Sequence, residues 1–452
     1  MIILDDLFHT RSLEASTLHL VNQLLHNKAK TYLNNQGTYW DFGSHLTRNI
    51  QRIHKALQNH TYTFSPYIKR SKKVKLNKVR DLYHPTWPDR VVERWLSETL
   101  GRRLHRWLSK SAYAYRVRDY CIDTCQWDVL RTITPTSYII KRDITNCFYT
   151  VDHNALLTQL RQLIDPTDYL YELLRQRIQF DYKTDTEEVH RATVGVPFGS
   201  SLACILANIA LTPIDRALDK LPVQYFRYAD DFLVVAPTAE LAAEAATTLD
   251  HEIAALNMTT KPSHSLNLAF QDSEGFTKAR SFAYLGLEFT ATGLVRLGRA
   301  KARKIVNLVK RELSRTNLSG NQKEKTYQCV AATNRALVER IRAVAIVDYY
   351  LKHVTDEVQL RTIDMLIAQQ VIAKILGKPF RYRDFSKIGY WELRRMGLVS
   401  LQHRRRLHAH HQLDVRFMDL YNQLVHDRNE ATHKGRLDRI NHIRLRKKQA
   451  TR

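Results

Sequence analysis

Three aspartates stand where the sequence predicts the ends of short strands. Asp230 and Asp231 are adjacent and separate an aromatic-rich run from an apolar one, so the two flanks read as strands and the acids as the tip of a tight hairpin. Asp143 directly follows another strand-like run, residues 137–142. Paired ionised carboxylates repel each other and are costly to desolvate, so an apolar setting calls for a compensating cation. Mg²⁺ meets that need, because it is usually held by one or two carboxylates together with substrate phosphates.

A double Asp also has a plain structural interpretation. Asp is a common turn former, and the pair alone would be typical of a polar turn on a surface hairpin. The two interpretations differ in what they require of Asp143, which is distant in sequence. Only a fold in which its strand neighbours the hairpin brings the three acids together.

A dense basic segment precedes the acids. Residues 69–75 are rich in Lys and Arg, and with residues 78–85 they read as a basic β-ribbon. Cations that face a carboxylate cluster can neutralise a polyphosphate substrate from the side away from the metal. Lys78 and Arg80 are therefore the candidate ligands of a polyphosphate substrate, with a solvated surface ribbon as the alternative.

Residues 111–118 interleave aromatic and basic side chains. In such a strip Tyr115, Arg116 and Arg118 could stack on bases and hold phosphates. The aromatic side chains could equally belong to the core, so this prediction is left open here.

The composition favours a partner that is a polyanion. The 452 residues carry a formal charge of +25, which points to nucleic acid rather than to an anionic membrane surface, because no lipidation motif or membrane-surface helix is evident. The N-terminus has no signal-peptide pattern, and no apolar run approaches the roughly 18 residues of a membrane span. Five Cys without a paired spacing predict neither a disulfide framework nor a zinc site. We expect a cytoplasmic protein.

The remaining pattern predicts an α+β chain of two or three domains. The predicted helices cover most of 1–60, then 153–180, 202–211 after a Gly/Pro turn at 194–201, 238–257, 300–318, 321–348 and 356–376. The predicted strands include residues 256–262, which end at Lys261 and Pro262, and residues 282–289, which contain Gly286. The basic residues 404–406 and 444–452 suit contact with a nucleic-acid backbone, and the last ten residues could equally be disordered.

In this order the motifs resemble the reverse transcriptases, specifically the bacterial group II intron-like branch. Tyr228-Ala-Asp-Asp231 is similar to the signature tetrad of that family, residues 194–211 to its Pro-Gln-Gly segment and the helix after it, and residues 82–96 to the stretch before its first palm strand. The resemblance covers roughly residues 45–295. It implies an α+β right-hand polymerase with fingers and palm made of an antiparallel sheet and helices, followed by an all-α C-terminal thumb and extension.

The resemblance also implies domains and site residues. Residues 1–140 would form N-terminal helices and fingers, 141–295 the palm with fingers insertions at 160–200, and 296–452 the thumb and extension. Two Mg²⁺ ions, with Mn²⁺ as a substitute, would be held by Asp143, Asp230, Asp231 and the backbone carbonyl of Ile144. The incoming dNTP would contact Lys78, Arg80, Phe148, Phe198 and Lys261, with Phe148 excluding a ribose 2′-OH. Tyr115, Arg116, Arg118, Tyr228 and Gly286 would contact the nucleic acid.

One departure affects the nucleotide site. The family places Gln where this chain has Phe198, which raises the question whether templated copying is the only activity. Motifs of the diversity-generating, retron and endonuclease-bearing types are not recognised in the sequence. The chain is most similar to the unknown-group and abortive-infection reverse transcriptases of bacterial antiphage defence.

Three functions follow as hypotheses. The first is an RNA-directed DNA polymerase that uses an RNA template, which could be a dedicated noncoding RNA, together with a DNA primer or product and dNTPs. The second is untemplated or protein-primed synthesis by the same site. The third is an RNA-binding splicing cofactor of maturase type, against which the three acids argue, because carboxylates weaken RNA affinity in a basic protein. No membrane partner is expected, and oligomeric state is left open.

Overall fold

The fold is α+β, as the sequence predicts. The computed structural model describes residues 39–75, 78–116, 120–184, 188–339, 347 and 350–409. These divide into two compact units, one formed by the described residues up to 132 and by 136–278, the other by 133–135 and the described residues from 279 onward. The helix prediction for 1–38, Arg118 and the basic segment 444–452 lie outside the described residues.

The helices, in chain order, are α1 (Tyr39–Ser44), α2 (Leu46–Gln58), α3 (Trp87–Leu104), α4 (Ile122–Thr132), α5 (Cys147–Thr150), α6 (His153–Arg161), α7 (Tyr169–Ile178), α8 (Ala203–Ala210), α9 (Thr212–Leu218), α10 (Ala239–Ala255), α11 (Arg299–Ser314), α12 (Gln322–Asn334), α13 (Glu357–Leu376), α14 (Tyr390–Arg395) and α15 (Leu401–Ala409). Short 3₁₀ segments span Pro262–His264 and Tyr382–Ser386, and a π-helical segment spans Arg335–Glu339.

The strands are β1 (Tyr67–Lys75), β2 (Lys78–His84), β3 (Tyr138–Asp143), β4 (Asp181–Lys183), β5 (Val189–Arg191), β6 (Gln224–Tyr228), β7 (Asp231–Ala236), β8 (Leu266–Ala269), β9 (Thr277–Lys278), β10 (Ser281–Tyr284), β11 (Leu287–Thr290) and β12 (Val295–Leu297).

A five-stranded sheet in the order β6-β7-β3-β8-β9 forms the centre of the first unit. All its pairings are antiparallel except β8 with β9. The apolar residues of β3 and β7, which include Ile139, Ile140, Leu233 and Val234, are fully buried, and α10 packs against both strands. Consecutive residues of a strand point to opposite faces of the sheet, so both faces of these strands are buried, and six consecutive residue pairs define their register.

The predicted basic ribbon is confirmed as the hairpin of β1 and β2. It belongs to a second sheet in the order β2-β1-β4-β5. The rings of Tyr67, Tyr83 and Phe180 form a small buried cluster beside this sheet, with centroids 4.9–6.3 Å apart. The ribbon is thus attached to the rest of the unit by an aromatic core.

Three predicted elements differ from the structure. The helical stretch 153–180 is two helices, α6 and α7, because Pro166 interrupts it and Asp168 caps the second helix by accepting a bond from the N–H of Leu170 (2.7 Å). The strand expected at 256–262 is irregular backbone with a single bridge between Ile144 and Thr260.

The third difference lies at Gly286. Residues 282–289 were expected to be one strand, but they form the hairpin of β10 and β11. Leu285 and Gly286 have φ values of 48° and 85°, the pair of positive φ angles that a tight two-residue hairpin turn requires. Leucine gives no local signal for such a turn, so the sequence pattern favoured a continuous strand.

The second unit begins with the three-stranded sheet β10-β11-β12, and the described residues after Leu297 form helices. Strand β12 is joined to the start of α13: the carbonyl of Val295 accepts the N–H of Thr355 (2.9 Å), and Arg296 pairs with Asp356. This attachment explains why residues 279–295 cluster with the helices. The predicted fingers, palm and thumb boundaries stay predictions. Among the described helices, none combines the length and apolar character needed to cross a bilayer.

Gly195 occupies a turn that admits no side chain. Its φ is +88°, and a Cβ placed there would lie 3.1 Å from the carbonyl oxygens of Phe148 and Tyr149. Its N–H donates to the carbonyl of Val151 (2.8 Å), so the backbone is held on both sides. Gly275, also at positive φ (+77°), has no atom within 4 Å of its Cβ position.

We therefore expect Gly195→Ala to cost more stability than Gly275→Ala. Both substitutions introduce left-handed strain of about 1–2 kcal/mol, but only the first also displaces backbone against α5, which should add roughly 1–2 kcal/mol. Denaturant unfolding of the two variants measures the difference. Equal losses would show that the turn of residues 194–196 relaxes freely.

Candidate active site

The three aspartates meet at one end of the central sheet. Asp143, the last residue of β3, is the cross-strand partner of Asp231, the first residue of β7. Asp230 lies in the two-residue turn between β6 and β7, and its carbonyl accepts the N–H of Ile144 (3.1 Å). The antiparallel pairing thus brings together acids that are far apart in sequence, as a metal site made of these three residues requires.

The turn that carries Asp230 is strained. Ala229 has a φ of 60°, a conformation that hairpin turns normally assign to Gly. A side chain in the left-handed region costs about 1–2 kcal/mol, so the surroundings must hold this turn in place.

A buried ion pair provides that support. Arg227 and Asp215 of α9 are both fully buried, and the guanidinium Nε donates to Asp215 Oδ1 at 2.7 Å. Nη1 of Arg227 donates to Asn208 Oδ1 (2.9 Å) and to the carbonyl of Ala229 (3.3 Å). Removing one partner of a buried pair typically costs about 3–5 kcal/mol. The Arg227–Asp215 pair therefore connects α8 and α9 rigidly to the strained turn.

Asp230 and Asp231 are held in an environment that disfavours their charge. Burial raises the pKa of Asp231 to about 7, opposed by the nearby Lys141 ammonium and reinforced by the charges of Asp143 and Asp230. Burial and the charge of Asp143 also raise the pKa of Asp230. The arrangement thus concentrates negative charge that an added cation would relieve.

Two lysines already approach the acids. Nζ of Lys141 lies 3.6 Å from Asp231 Oδ1, on the same strand as Asp143. The ammonium of Lys261 pairs with Asp143 Oδ1, and the backbone N–H of Lys261 donates to the Asp143 carbonyl (2.8 Å). The structure thus places Lys261 on a carboxylate of the acidic cluster. Its predicted triphosphate contact stays a prediction.

Beside the acids lies a group of aromatic rings with one guanidinium. Phe148 of α5 packs edge to face against Phe198, with centroids 5.0 Å apart, and against Tyr115 at 6.3 Å. The Arg80 guanidinium lies over the Phe198 ring, 5.4 Å from its centroid, and its charge acts to lower the pKa of Asp230. The structure therefore brings Arg80, Phe148 and Phe198 to one side of the acidic cluster.

The turn that carries Phe198 has its own buried support. Ser200 donates to Glu93 (2.7 Å), and Glu93 pairs with Arg177 (2.9 Å), all three being buried. Burial raises the pKa of Glu93, with the Arg177 charge opposing the shift. Each of the two turns that border the site is thus backed by a buried arginine and carboxylate.

The other predicted nucleic-acid and nucleotide ligands are placed as follows. Tyr228 is the last residue of β6, beside Asp231, and Tyr115 is partly exposed at positive φ (60°). Arg116 donates to the carbonyls of Ser109, Ala112 and His105 and stacks on Tyr120.

The three backbone carbonyls that Arg116 binds favour a structural role for this residue.

Gly286, another predicted nucleic-acid ligand, lies in the β10–β11 turn of the second unit. The side chain of Lys78 lies outside the described part of the chain, as does Arg118. All these ligand assignments stay predictions, as does that of the Ile144 carbonyl.

Sequence reasoning missed Lys141 and the Arg227–Asp215 pair. Lys141 could have been found, because residues i and i+2 of a strand share a face and Asp143 is two residues further on. Arg227 had a weaker signal, a charged residue inside the apolar run 223–228. Its partner is 12 residues away on a helix, and no local pattern identifies it.

The donor set is open rather than a closed metal cage. Among the described residues, no three His, Cys, Asp or Glu side chains are already gathered into a metal-holding cluster. Carboxylate oxygens are nevertheless the ligands that Mg²⁺ prefers, and Mg²⁺ takes one or two of them and completes its shell with water and phosphate. The raised pKa values of Asp230 and Asp231 also indicate that a bound cation would stabilise their charged forms. The residues present fit such an ion.

Curated relatives match part of the chain. A COX1/OXI3 intron 1 protein of Saccharomyces cerevisiae is 26% identical over 134 residues, 29% of this chain and 16% of the relative. The Retron Ec73 reverse transcriptase of Escherichia coli is 26% identical over 167 residues, 34% of this chain and 49% of the relative. The group II intron-encoded protein LtrA of Lactococcus lactis is 24% identical over 180 residues, 39% of this chain and 29% of the relative. The chain spans less than half the length of each.

Among solved structures, telomerase of Candida albicans, in complex with a fragment of telomeric RNA, aligns with a TM-score of 0.43 at 12% identity, over 76% of this chain and 67% of the other. Apo telomerase of Candida tropicalis aligns with a TM-score of 0.42 at 12% identity, over 81% and 68%.

A family model described as reverse transcriptase (RNA-dependent DNA polymerase) matches residues 69–289. That match runs from the basic ribbon through the strands that carry Asp143, Asp230 and Asp231 to the β10–β11 hairpin. Residues 69–289, just under half of the chain, are thus similar to the reverse transcriptase family.

Proposed function

We propose that the protein is an RNA-directed DNA polymerase that adds deoxynucleotides to a primer end by metal-assisted phosphoryl transfer. The observation that carries the proposal is the pairing of Asp143 with Asp231 across β3 and β7, with Asp230 in the adjoining turn. The reverse transcriptase match over residues 69–289 supports the same reaction. The formal charge of +25 supports a nucleic-acid partner.

Asp143, Asp230 and Asp231 are the residues that would hold divalent metal. Two Mg²⁺ ions, when bound, supply an activated primer hydroxyl and a stabilised pyrophosphate leaving group, and Mn²⁺ is a plausible substitute. The protein's contribution is to place the three aspartates at one end of the central sheet, where burial and mutual repulsion raise the pKa of Asp230 and Asp231 and so favour a cation. The strained turn at Ala229 and the Arg227–Asp215 pair keep the carboxylates of Asp230 and Asp231 in that position.

The groups around the acids have complementary tasks in this proposal. Arg80, and Lys78 beside it on β2, would hold the triphosphate, since a guanidinium can donate two parallel bonds to phosphate oxygens. Phe148 would face the sugar, where an apolar ring offers no partner to a 2′-OH. Lys261, now paired with Asp143, would exchange that carboxylate for a phosphate oxygen of the bound triphosphate.

Untemplated or protein-primed synthesis is the second candidate, and one observation favours it. Phe198 lies against Phe148 and Arg80 at the position where the resemblance predicts Gln, so the nucleotide is met by a ring rather than by an amide. Stacking on an aromatic ring is tolerant of base identity.

The biological setting is also a proposal. We infer that the template is RNA, which could be a dedicated noncoding RNA, and that the protein acts in bacterial antiphage defence. This rests on the resemblance described above. Phage challenge of a host that carries the wild-type protein or the Asp230→Asn variant tests it. Equal phage titres on both would contradict a defence role for the polymerase activity.

The central prediction concerns Asp230. Asp230→Asn removes one carboxylate that would hold the metal ions. We expect it to reduce Mg²⁺-dependent dNTP incorporation on an RNA template by at least about a thousandfold, because the metal ions would no longer position the reactants. Asp272→Asn, an exposed acid of the same unit that pairs with Lys278, is the matched control and should retain activity.

Template-dependent product distinguishes the two candidates. Copying predicts a product complementary to the supplied RNA, and removing that RNA should abolish synthesis. Product of unchanged yield and unrelated sequence without any template would favour untemplated addition. Incorporation that survives Asp230→Asn would exclude both.

A second prediction uses the raised pKa of Asp231. The pKa of this carboxyl is about 7 in the folded protein and 3.8 in the unfolded chain. The free energy of unfolding therefore falls as pH rises between those two values, and above pH 7 the ionised carboxylate lowers it by the full amount. In EDTA, Asp231→Asn should therefore raise the free energy of unfolding most at pH 8, by up to about 4 kcal/mol, and least near pH 4.

Thermal melts across pH 4–8 measure this effect, with Asp272→Asn as the pH-independent control. Added Mg²⁺ should raise the melting temperature of the wild-type protein more than that of Asp231→Asn, since the ion binds the folded state. A gain in stability that is the same at every pH would contradict a buried, protonating Asp231.

A further inference from the structure

Phe198 contacts the two elements proposed to bind the nucleotide, α5, which carries Phe148, and β2, which carries Arg80. Its ring lies edge to face with Phe148 (5.0 Å between centroids) and tilted against Tyr149 (5.9 Å). The guanidinium of Arg80 lies over the same ring at 5.4 Å. One side chain thus joins a ring of α5 to a cation of β2.

The backbone around Phe198 is fixed from both directions. Its carbonyl accepts the N–H of Tyr83 in β2 (2.9 Å), and Ser200, two residues on, donates to the buried Glu93. Between them Gly199 has a φ of +109°, a conformation that strongly favours glycine. A turn held in this way keeps the Phe198 ring at a constant position, which a ring that positions other groups requires.

We propose that Phe198 is a specificity-determining residue, which holds the Phe148 ring against the sugar and the Arg80 guanidinium toward the triphosphate. This inference rests on the proposed polymerase function. It assigns to Phe198 two separable effects: discrimination against ribonucleotides, through Phe148, and affinity for the triphosphate, through Arg80.

Discrimination against ribonucleotides follows from the apolar character of the two rings. The rings of Phe148 and Phe198 offer no hydrogen-bond partner, so a ribose 2′-OH that faces them loses its water without compensation. An apolar pocket rejects an added hydroxyl by about a hundredfold at most, and only if its rings cannot move aside. Phe198 blocks one direction in which the Phe148 ring could move.

The second effect follows from the stacking of Arg80. A guanidinium over an aromatic face keeps its charge and its in-plane N–H groups, so it can still donate to a phosphate. Stacking also restricts a side chain that would otherwise sample many rotamers, which lowers the entropy lost when a triphosphate binds. Removing the ring should therefore weaken nucleotide binding even though Arg80 remains.

The test measures single-nucleotide incorporation of a dNTP and the matching rNTP by wild-type protein, Phe198→Ala and Phe198→Tyr. We expect Phe198→Ala to lower the ratio of the two kcat/KM values about tenfold and to raise the KM for the dNTP about fivefold. Phe198→Tyr keeps the ring under Arg80 and should keep the wild-type KM for the dNTP. A loss of fold alone would lower both rates together and leave their ratio unchanged.

Phe276→Ala is the matched control. Phe276 makes an edge-to-face contact with Tyr138 at the same centroid distance, 5.0 Å, elsewhere in the first unit. This variant should leave the ratio and the KM unchanged. An unchanged ratio in Phe198→Ala, or an equal change in Phe276→Ala, would overturn the inference.

Equilibrium binding separates this inference from the proposed function. Binding of a fluorescent dNTP and rNTP in Ca²⁺ requires no chemistry. A wild-type preference for the dNTP that Phe198→Ala removes would support the assignment even if no polymerisation occurs. A protein that polymerises dNTPs while Phe198→Ala keeps wild-type discrimination would refute the assignment and leave the polymerase standing.

Discussion

The register between β3 and β7 is the constraint on which the site depends. It sets Asp143 opposite Asp231, and through the two-residue turn it also fixes Asp230. The apolar residues that precede Asp143 and follow Asp231 are buried on both faces of the sheet, and the two strands pair over six consecutive residues in this register. Hydrophobic burial along the strands therefore determines a polar arrangement at their ends.

The same register imposes electrostatic and conformational costs. It places carboxylates where water is largely excluded, which raises the pKa of Asp231 to about 7, and it requires Ala229 to adopt a φ of 60°. Such costs are typical of functional sites and must be offset by other interactions. The buried pair of Arg227 with Asp215 does so directly, since the guanidinium also binds the Ala229 carbonyl.

The sequence predicted the acids better than their surroundings. Asp143, Asp230 and Asp231 were identifiable because each borders a strand-like run, and the ribbon that carries Arg80 had an equally clear pattern. Lys141 shares a strand face with Asp143, a local pattern that was overlooked, whereas Asp215 pairs with Arg227 from a helix and depends on tertiary structure that no local pattern encodes. The hairpin at Gly286 was missed for a different reason: Leu285 adopts a positive φ that its side chain disfavours, and only the completed fold stabilises it.

Two buried arginines stabilise the two turns that border the site. Arg227 backs the turn that carries the acids, and Arg177, through Glu93 and Ser200, backs the turn that carries Phe198. Each is paired and desolvated, so each tolerates little displacement. A rigid acidic turn is what the metals of the proposed reaction require. The Phe198 turn is held by the same kind of contact and carries a ring rather than an amide, so in the proposed reaction the nucleotide would be chosen by shape and stacking. Selectivity in this site would then be a consequence of the same buried ion pairs that stabilise it.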